Sequence, residues 1–287
     1  MAWFIFAILG AFFDASYYAL IKKNLQNINQ YVLSAGVFVT SSIVLFTISF
    51  LKGLPEIGPR FYSSVFVTGV VNVVAALLYF KALKTTDLSL AIPMISFTPA
   101  FLVLTSFFLL GELPTMLGII GILLIVIGSY VLNTTKDRAR LSEPIKSIIA
   151  NRGTLYMLIV AFLFSISSNY DKLVVLNSDA IFSSATVLLF LGVCFLIISM
   201  AKARNELINS KKYTGRFLLV GTVLSLVAIT INIAFTMQIV PYVISLKRLS
   251  ILFSVMYGGY WFKETNIFRR ALGAIIMLAG AILIILF

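Results

Sequence analysis

The chain has 287 residues, 61% of them hydrophobic and 11% charged, and a mean hydropathy of +1.07. A soluble domain of this length has too little interior for so much apolar surface, so its solvent is lipid. The formal charge of +12 would point to nucleic acid in a soluble protein. Here the cations lie mostly between apolar runs, where they orient the chain and meet anionic headgroups, and no nucleic-acid partner is expected. The single cysteine, Cys194, and the lack of histidine exclude an intrachain disulfide, a cysteine metal cluster, Ser-His-Asp and Cys-His catalysis and the commonest zinc sites. No GxxxxGK[ST] motif occurs, which excludes nucleotide-driven pumping by this chain alone. Neither enzyme activity nor a cofactor or metal is expected.

A membrane-crossing helix needs about 20 apolar residues. Ten segments qualify, near Trp3–Ile21, Tyr31–Leu51, Tyr62–Leu83, Ser89–Leu110, Thr115–Leu132, Leu155–Leu176, Ile181–Met200, Phe217–Ile239, Tyr242–Phe262 and Phe268–Phe287. The first begins MAWFIFAILGAFF, without a basic n-region or a small-residue cleavage site, and reads as a retained helix. It carries Asp14, about 16 Å below Trp3 at 1.5 Å per residue and so near mid-membrane, with Tyr18 further along. In the third segment Thr68, Asn72, Ala76 and Tyr79 align; in the fourth, Ser89, Pro93, Ser96 and Ala100 share a face. Pro93 and Pro99 bend the fourth segment and release backbone carbonyls. The sixth aligns Ser165, Ser168 and Asn169, and the eighth Ser225, Asn232 and Thr236. Such faces line a binding site or hydrogen-bond between helices. Asp171-Lys172, at the outer end of the sixth, reads as an interfacial pair.

The ninth segment is the least ordinary, because Lys247 and Arg248 lie side by side inside it. Each costs roughly 2.5–3.5 kcal/mol on insertion scales and requires an anion, water or a cavity. At about 100° per residue, Lys247, Ser250 and Ser254 share one helical face with Arg248 at its margin. That polar stripe reads as a binding site for a substrate bearing a carboxylate or phosphate. The alternative is an amino-acid or drug exporter in which the pair is neutralised internally by Asp14, or a membrane scaffold that transports nothing.

Loops after the odd-numbered segments, with the segment ends that flank them, hold 17 Lys and Arg, and those after the even-numbered ones hold 3. The basic side is the cytoplasmic one, which puts both termini outside a multi-pass protein of the plasma (inner) membrane. Asn133–Thr154, charged and containing Pro144, divides the chain into repeats 1–132 and 155–287, with 133–154 as a cytoplasmic linker. A 152-residue offset superimposes the two: Phe12 falls on Phe164, Ser16 on Ser168, Glu112 on Glu264, Gly121 on Gly273 and Gly128 on Gly280. Five crossings per repeat, an odd number, insert the second copy upside down, a plan recurrent in secondary transporters.

The half-endings SFTPAFLVLTSFFLLGELPTMLGIIGILLIVIGSYVL and RLSILFSVMYGGYWFKETNIFRRALGAIIMLAGAILI carry a Glu after an apolar helix, then a glycine-spaced last helix. In this the chain resembles the EamA family of ten-helix permeases within the drug/metabolite transporter superfamily. The resemblance implies an all-α fold of two inverted five-helix repeats around a central cavity, transport of a small molecule by alternating access, and a possible homodimer through the fifth and tenth helices. Lys247-Arg248 also resembles the adjacent pair that holds phosphate in plastid phosphate translocators. Those relatives add a lysine from the fourth helix, whereas Ser89–Leu110 contains none.

Overall fold

Seven helices long and apolar enough to cross a membrane dominate the computed structural model, which describes residues 2–86, 93–133, 151–254 and 267–287. Ser89, Glu264, most of the linker and the end of the ninth segment lie outside the described residues. The main helices are α1 (Trp3–Asn24), α2 (Gln30–Lys52), α3 (Phe61–Thr85), α4 (Thr98–Leu110), α5 (Met116–Asn133), α6 (Arg152–Leu176), α7 (Ala180–Lys202), α8 (Thr214–Met237), α9 (Val240–Lys247) and α10 (Ile267–Leu286). No strand occurs among the described residues. The basic connection between α7 and α8, expected as a plain loop, forms a short helix, Arg204–Ile208, and a 3₁₀ turn, Asn209–Tyr213. Local chemistry starts several helices. Asn29 accepts the Tyr31 amide at 3.0 Å, and Asp179 accepts those of Ile181 and Phe182 at 2.7 Å each, taking up donors that a helix start leaves over.

The chain packs as two compact units, each drawing helices from both halves of the sequence. The first comprises Met1–Val73 and Tyr170–Met237. Within it α2 packs on α7, α1 on α8, and α8 also on α2 and α7. Leu45, Ala185, Leu188 and Leu191 form one core cluster, and Phe61, Val65 and Val174 another, beside Phe182 and Phe190. Hydroxyls join these helices where lipid offers no competing partner. Ser41 and Ser225 meet at 2.8 Å, Ser42 donates to the Ala185 carbonyl at 3.0 Å, and Thr40 to the Phe217 carbonyl at 2.8 Å.

The second unit comprises Val74–Asn169 and Gln238–Phe287. Its core gathers Ala75, Ala82, Met94, Tyr130, Met157 and Val160, with Tyr79 packed against them. Here glycines let α5 and α10 approach closely where they cross. A Cβ on Gly121 would lie 2.8 Å from the Gly280 carbonyl oxygen, and one on Gly128 would lie 2.7 Å from that of Gly273. Index rises along one helix as it falls along the other, so the two run antiparallel. The contact is also reciprocal under the 152-residue offset, since Gly121 matches Gly273 and Gly128 matches Gly280. These glycine faces are filled by one another. The outer faces, with Ile120, Leu123 and Ile127 on α5 and Ile275, Leu278 and Ile282 on α10, are exposed and suited to lipid.

Because backbone oxygen sits where a Gly128 side chain would go, Gly128→Leu should lower stability in detergent by about 1–3 kcal/mol, the usual range for overpacking. Gly215→Ala, whose new methyl meets nothing within 4 Å, should leave the melting temperature unchanged and serves as the control.

Candidate functional site

Proline dictates the first irregularity. Pro99 lacks an N–H, so the Ile95 carbonyl loses its helical donor, and the Thr98 hydroxyl takes it instead at 2.8 Å. Ahead of α4 the chain turns through Ser96 and Phe97, whose amides donate to Pro93 and Met94 at 3.2 Å each, three residues back instead of four. The fourth segment is therefore helical on either side of a tight turn.

The same turn recurs in the ninth segment, where no proline is present. After α9, the Arg248 amide reaches Ser245 at 3.1 Å and the Leu249 amide reaches Leu246 at 2.9 Å. Helix resumes at Ser250 and runs through Ser254, with the Ile251 and Leu252 amides still reaching Arg248 and Leu249, at 3.1 and 2.9 Å. The 152-residue offset carries Ser96 onto Arg248 and Phe97 onto Leu249, so both interruptions fall at matching places. This alters the expected stripe. A three-residue turn advances about 120° per residue, which rotates Ser250 and Ser254 relative to Lys247 from where an unbroken helix would put them.

Residues 240–246, 249 and 250 are buried, while Lys247 and Arg248 between them are half-buried. Lys247 closes the last turn of α9, where a cation complements the helix dipole. At the other end of α9 the Glu112 carboxylate accepts the Val240 amide at 2.8 Å. The short helix thus has an anion at its amino end and cations at its carboxyl end, the arrangement its dipole favours at both. Ser250 is buried, and Ser254 spends its hydroxyl on the Ser250 carbonyl at 2.8 Å.

The matching turn before α4 has a different finish. Ser129 on α5 donates to the Ser96 hydroxyl, tying that turn to the neighbouring helix. The offset carries Ser129 onto Ala281, which has no hydroxyl to give. One turn is closed by a serine pair, whereas its counterpart carries two cations.

Other expected site residues in this unit make contacts within the protein. Asn169 is fully buried: its Oδ1 accepts from Ser106 at 2.6 Å, and its Nδ2 donates to Thr105 at 3.1 Å and to the Ser165 carbonyl at 2.8 Å. That locks α6 to α4. Ser168 returns its hydroxyl to Phe164 at 2.8 Å, and Tyr79 lies against the Met94–Tyr130 core.

The first unit holds Asp14, Tyr18, Asn72 and Asn232. Asp14 is buried in a stripe of small residues, Ala7, Gly10, Ala11 and Ala15, while Tyr18 is exposed. Asn232 on α8 donates to Ser184 on α7 at 2.7 Å. Asn72 donates to the Thr68 hydroxyl at 3.1 Å, and Thr68 donates to Asp171 at 2.6 Å. Of the expected interfacial pair, Asp171 accepts from Thr68 on α3, and Lys172 is buried. Sequence reading missed these hydroxyl partners because Thr105, Ser106, Ser129 and Ser184 lie in apolar runs and acquire meaning only across helices. Among the described residues, no group of three or more metal-ligating side chains occurs.

Residues 1–134 match the EamA-like transporter family. An uncharacterized transporter of Archaeoglobus fulgidus is 24% identical, with 76% of this chain and 77% of that protein aligned. A solved crystal structure superposes on 98% of this chain and 96% of its own at a TM-score of 0.75 and 16% identity, which shows a shared fold.

The Asn169 lock is testable by unfolding in mixed micelles. Ser106→Ala should cost about 0.6–1.7 kcal/mol, the range of hydrogen bonds between membrane helices. Combined with Asn169→Ala the losses should be less than additive, as for any directly coupled pair.

Proposed function

Because residues 1–134 match the EamA-like transporter family, we propose that this chain is a membrane transporter that moves a small metabolite bearing a carboxylate or phosphate, by alternating access of two inverted repeats. The observation that carries the substrate class is the Lys247–Arg248 pair, half-buried at a helix interruption between buried neighbours. Intramembrane cations with partial access are the expected receptors of an anion, and guanidinium adds bidentate geometry for carboxylate or phosphate. Support for inverted repeats comes from the antiparallel, reciprocal α5–α10 crossing and from the offset-matched turns at Ser96–Phe97 and Arg248–Leu249. Transport also agrees with the relatives, which are transporters and not enzymes. A homodimer across α5 and α10 would use their outer faces, because the glycine faces are occupied.

The proposed setting is the plasma membrane with both termini on the non-cytoplasmic side, on the Lys/Arg bias of the loops. A reporter after Phe287 should read as external, and a tag within residues 202–212 as cytoplasmic; the opposite readings would reverse the orientation.

Transport itself is tested in proteoliposomes with labelled inorganic phosphate and a panel of small carboxylates. Lys247→Gln and Arg248→Gln should each reduce uptake of the accepted anion by about tenfold or more, the loss expected when a charged hydrogen-bond donor is removed. Wild-type uptake by both variants would sink the anion reading.

A further inference from the structure

At the start of α9 the adjacent Gln238 side chain accepts the Ile239 amide at 2.9 Å, which leaves the Val240 amide to be met from elsewhere. Ile239, the residue before it, has no side-chain acceptor, and Pro241 at its first turn has no N–H. The missing acceptor comes from 128 residues earlier. Gly111 closes α4 in the left-handed region at φ +70°, with its amide on Phe107 and the Glu112 amide on Ser106 at 3.2 Å. The next side chain is then delivered to Val240, whose amide the Glu112 carboxylate accepts at 2.8 Å. A second hold follows three residues after Glu112 and two after Val240. The Tyr242 hydroxyl accepts the Thr115 amide at 3.0 Å and lies 3.1 Å from the Thr115 hydroxyl. It occupies the space where a Cβ on Gly118 would go.

The opposite end of α9 carries Lys247. Seven residue steps separate Val240 from Lys247, about 10 Å of continuous helix. All residues from Val240 to Leu246 are buried, so a displacement of the first turn has little packing slack to dissipate in and passes to the last. We infer that Glu112 is a positioning residue for the Lys247–Arg248 pair: from the α4–α5 turn it fixes the amino end of α9, assisted by the Thr115–Tyr242 contact, and so sets where the pair presents its charge. The functional consequence rests on the anion reading above, whereas the positioning does not.

Both can be read separately. In a Cys194→Ser background, the thiol of Lys247→Cys is labelled with a water-soluble methanethiosulfonate. Adding Glu112→Ala should change the labelling rate by about tenfold, the size of a lost charge-assisted hydrogen bond, and Glu112→Gln, which keeps an acceptor, by much less. Gly118→Ala, which leaves the carboxylate in place and displaces Tyr242, should change it in the same way and replaces Glu112→Ala should that variant fail to fold. An exposed α6 position, Leu155→Cys, should label at the parent rate throughout. Unchanged rates at position 247 in folded Glu112→Ala or Gly118→Ala protein overturn the positioning role, whatever the ligand. Inorganic phosphate binding to the intact protein then tests the consequence. Weakening by Glu112→Ala and by Lys247→Gln alike supports the whole inference. Altered labelling with phosphate binding indifferent to both variants upholds the positioning and removes the anion.

Discussion

Inside a bilayer every backbone amide and carbonyl must find a partner within the protein, and an uninterrupted helix is the simplest way to supply them. Most of this chain obeys, in helices such as Gln30–Lys52 and Ala180–Lys202 that run more than twenty residues with capped starts. Among the described residues, the interruptions at Ser96–Phe97 and Arg248–Leu249 are therefore costly places, and each has a visible remedy. Bonding shortens to three residues, and a neighbouring hydroxyl fills the carbonyl that Pro99 leaves. The charge pair occurs at one of the two, where regular helix has already been given up.

The two turns share backbone geometry and differ in side-chain chemistry. Ser96 is tied to Ser129, while the residues at the corresponding places are Arg248 and Ala281. Of these two turns, one closes with a serine pair and the other carries cations. The Glu112–Val240 bond joins the two halves of the sequence directly, because an acid from the first half caps a helix of the second. This is how a turn between two ordinary helices acquires a say over the charged end of a third.

Much of the helical plan was legible in the sequence because lipid imposes long apolar runs, and the predicted starts at Trp3, Tyr31 and Ile181 fall within one residue of the helices observed. The bend before α4 was legible too, since Pro99 announces it. The turn at Arg248 was not: no proline or glycine marks it, and helical spacing alone joins Lys247 to Ser250 and Ser254 on one face. Individual polar residues such as Asn169 stood out, but their roles did not. Whether an intramembrane asparagine faces a ligand or a neighbour depends on residues like Ser106, 63 positions away, and single-sequence periodicity carries no information about such pairs. The short helix Arg204–Ile208 was hidden by its charge, which reads equally well as loop.

The central claim is that the interrupted ninth segment presents Lys247 and Arg248 to an anion. An anomalous-difference map from crystals soaked in tungstate, a heavy tetrahedral oxyanion, addresses it most directly. The account predicts a peak within about 4 Å of both the Lys247 ammonium and the Arg248 guanidinium, a salt-bridge separation, lost in Arg248→Gln crystals. Tungstate bound only at the basic loops, with none at the pair, would contradict it.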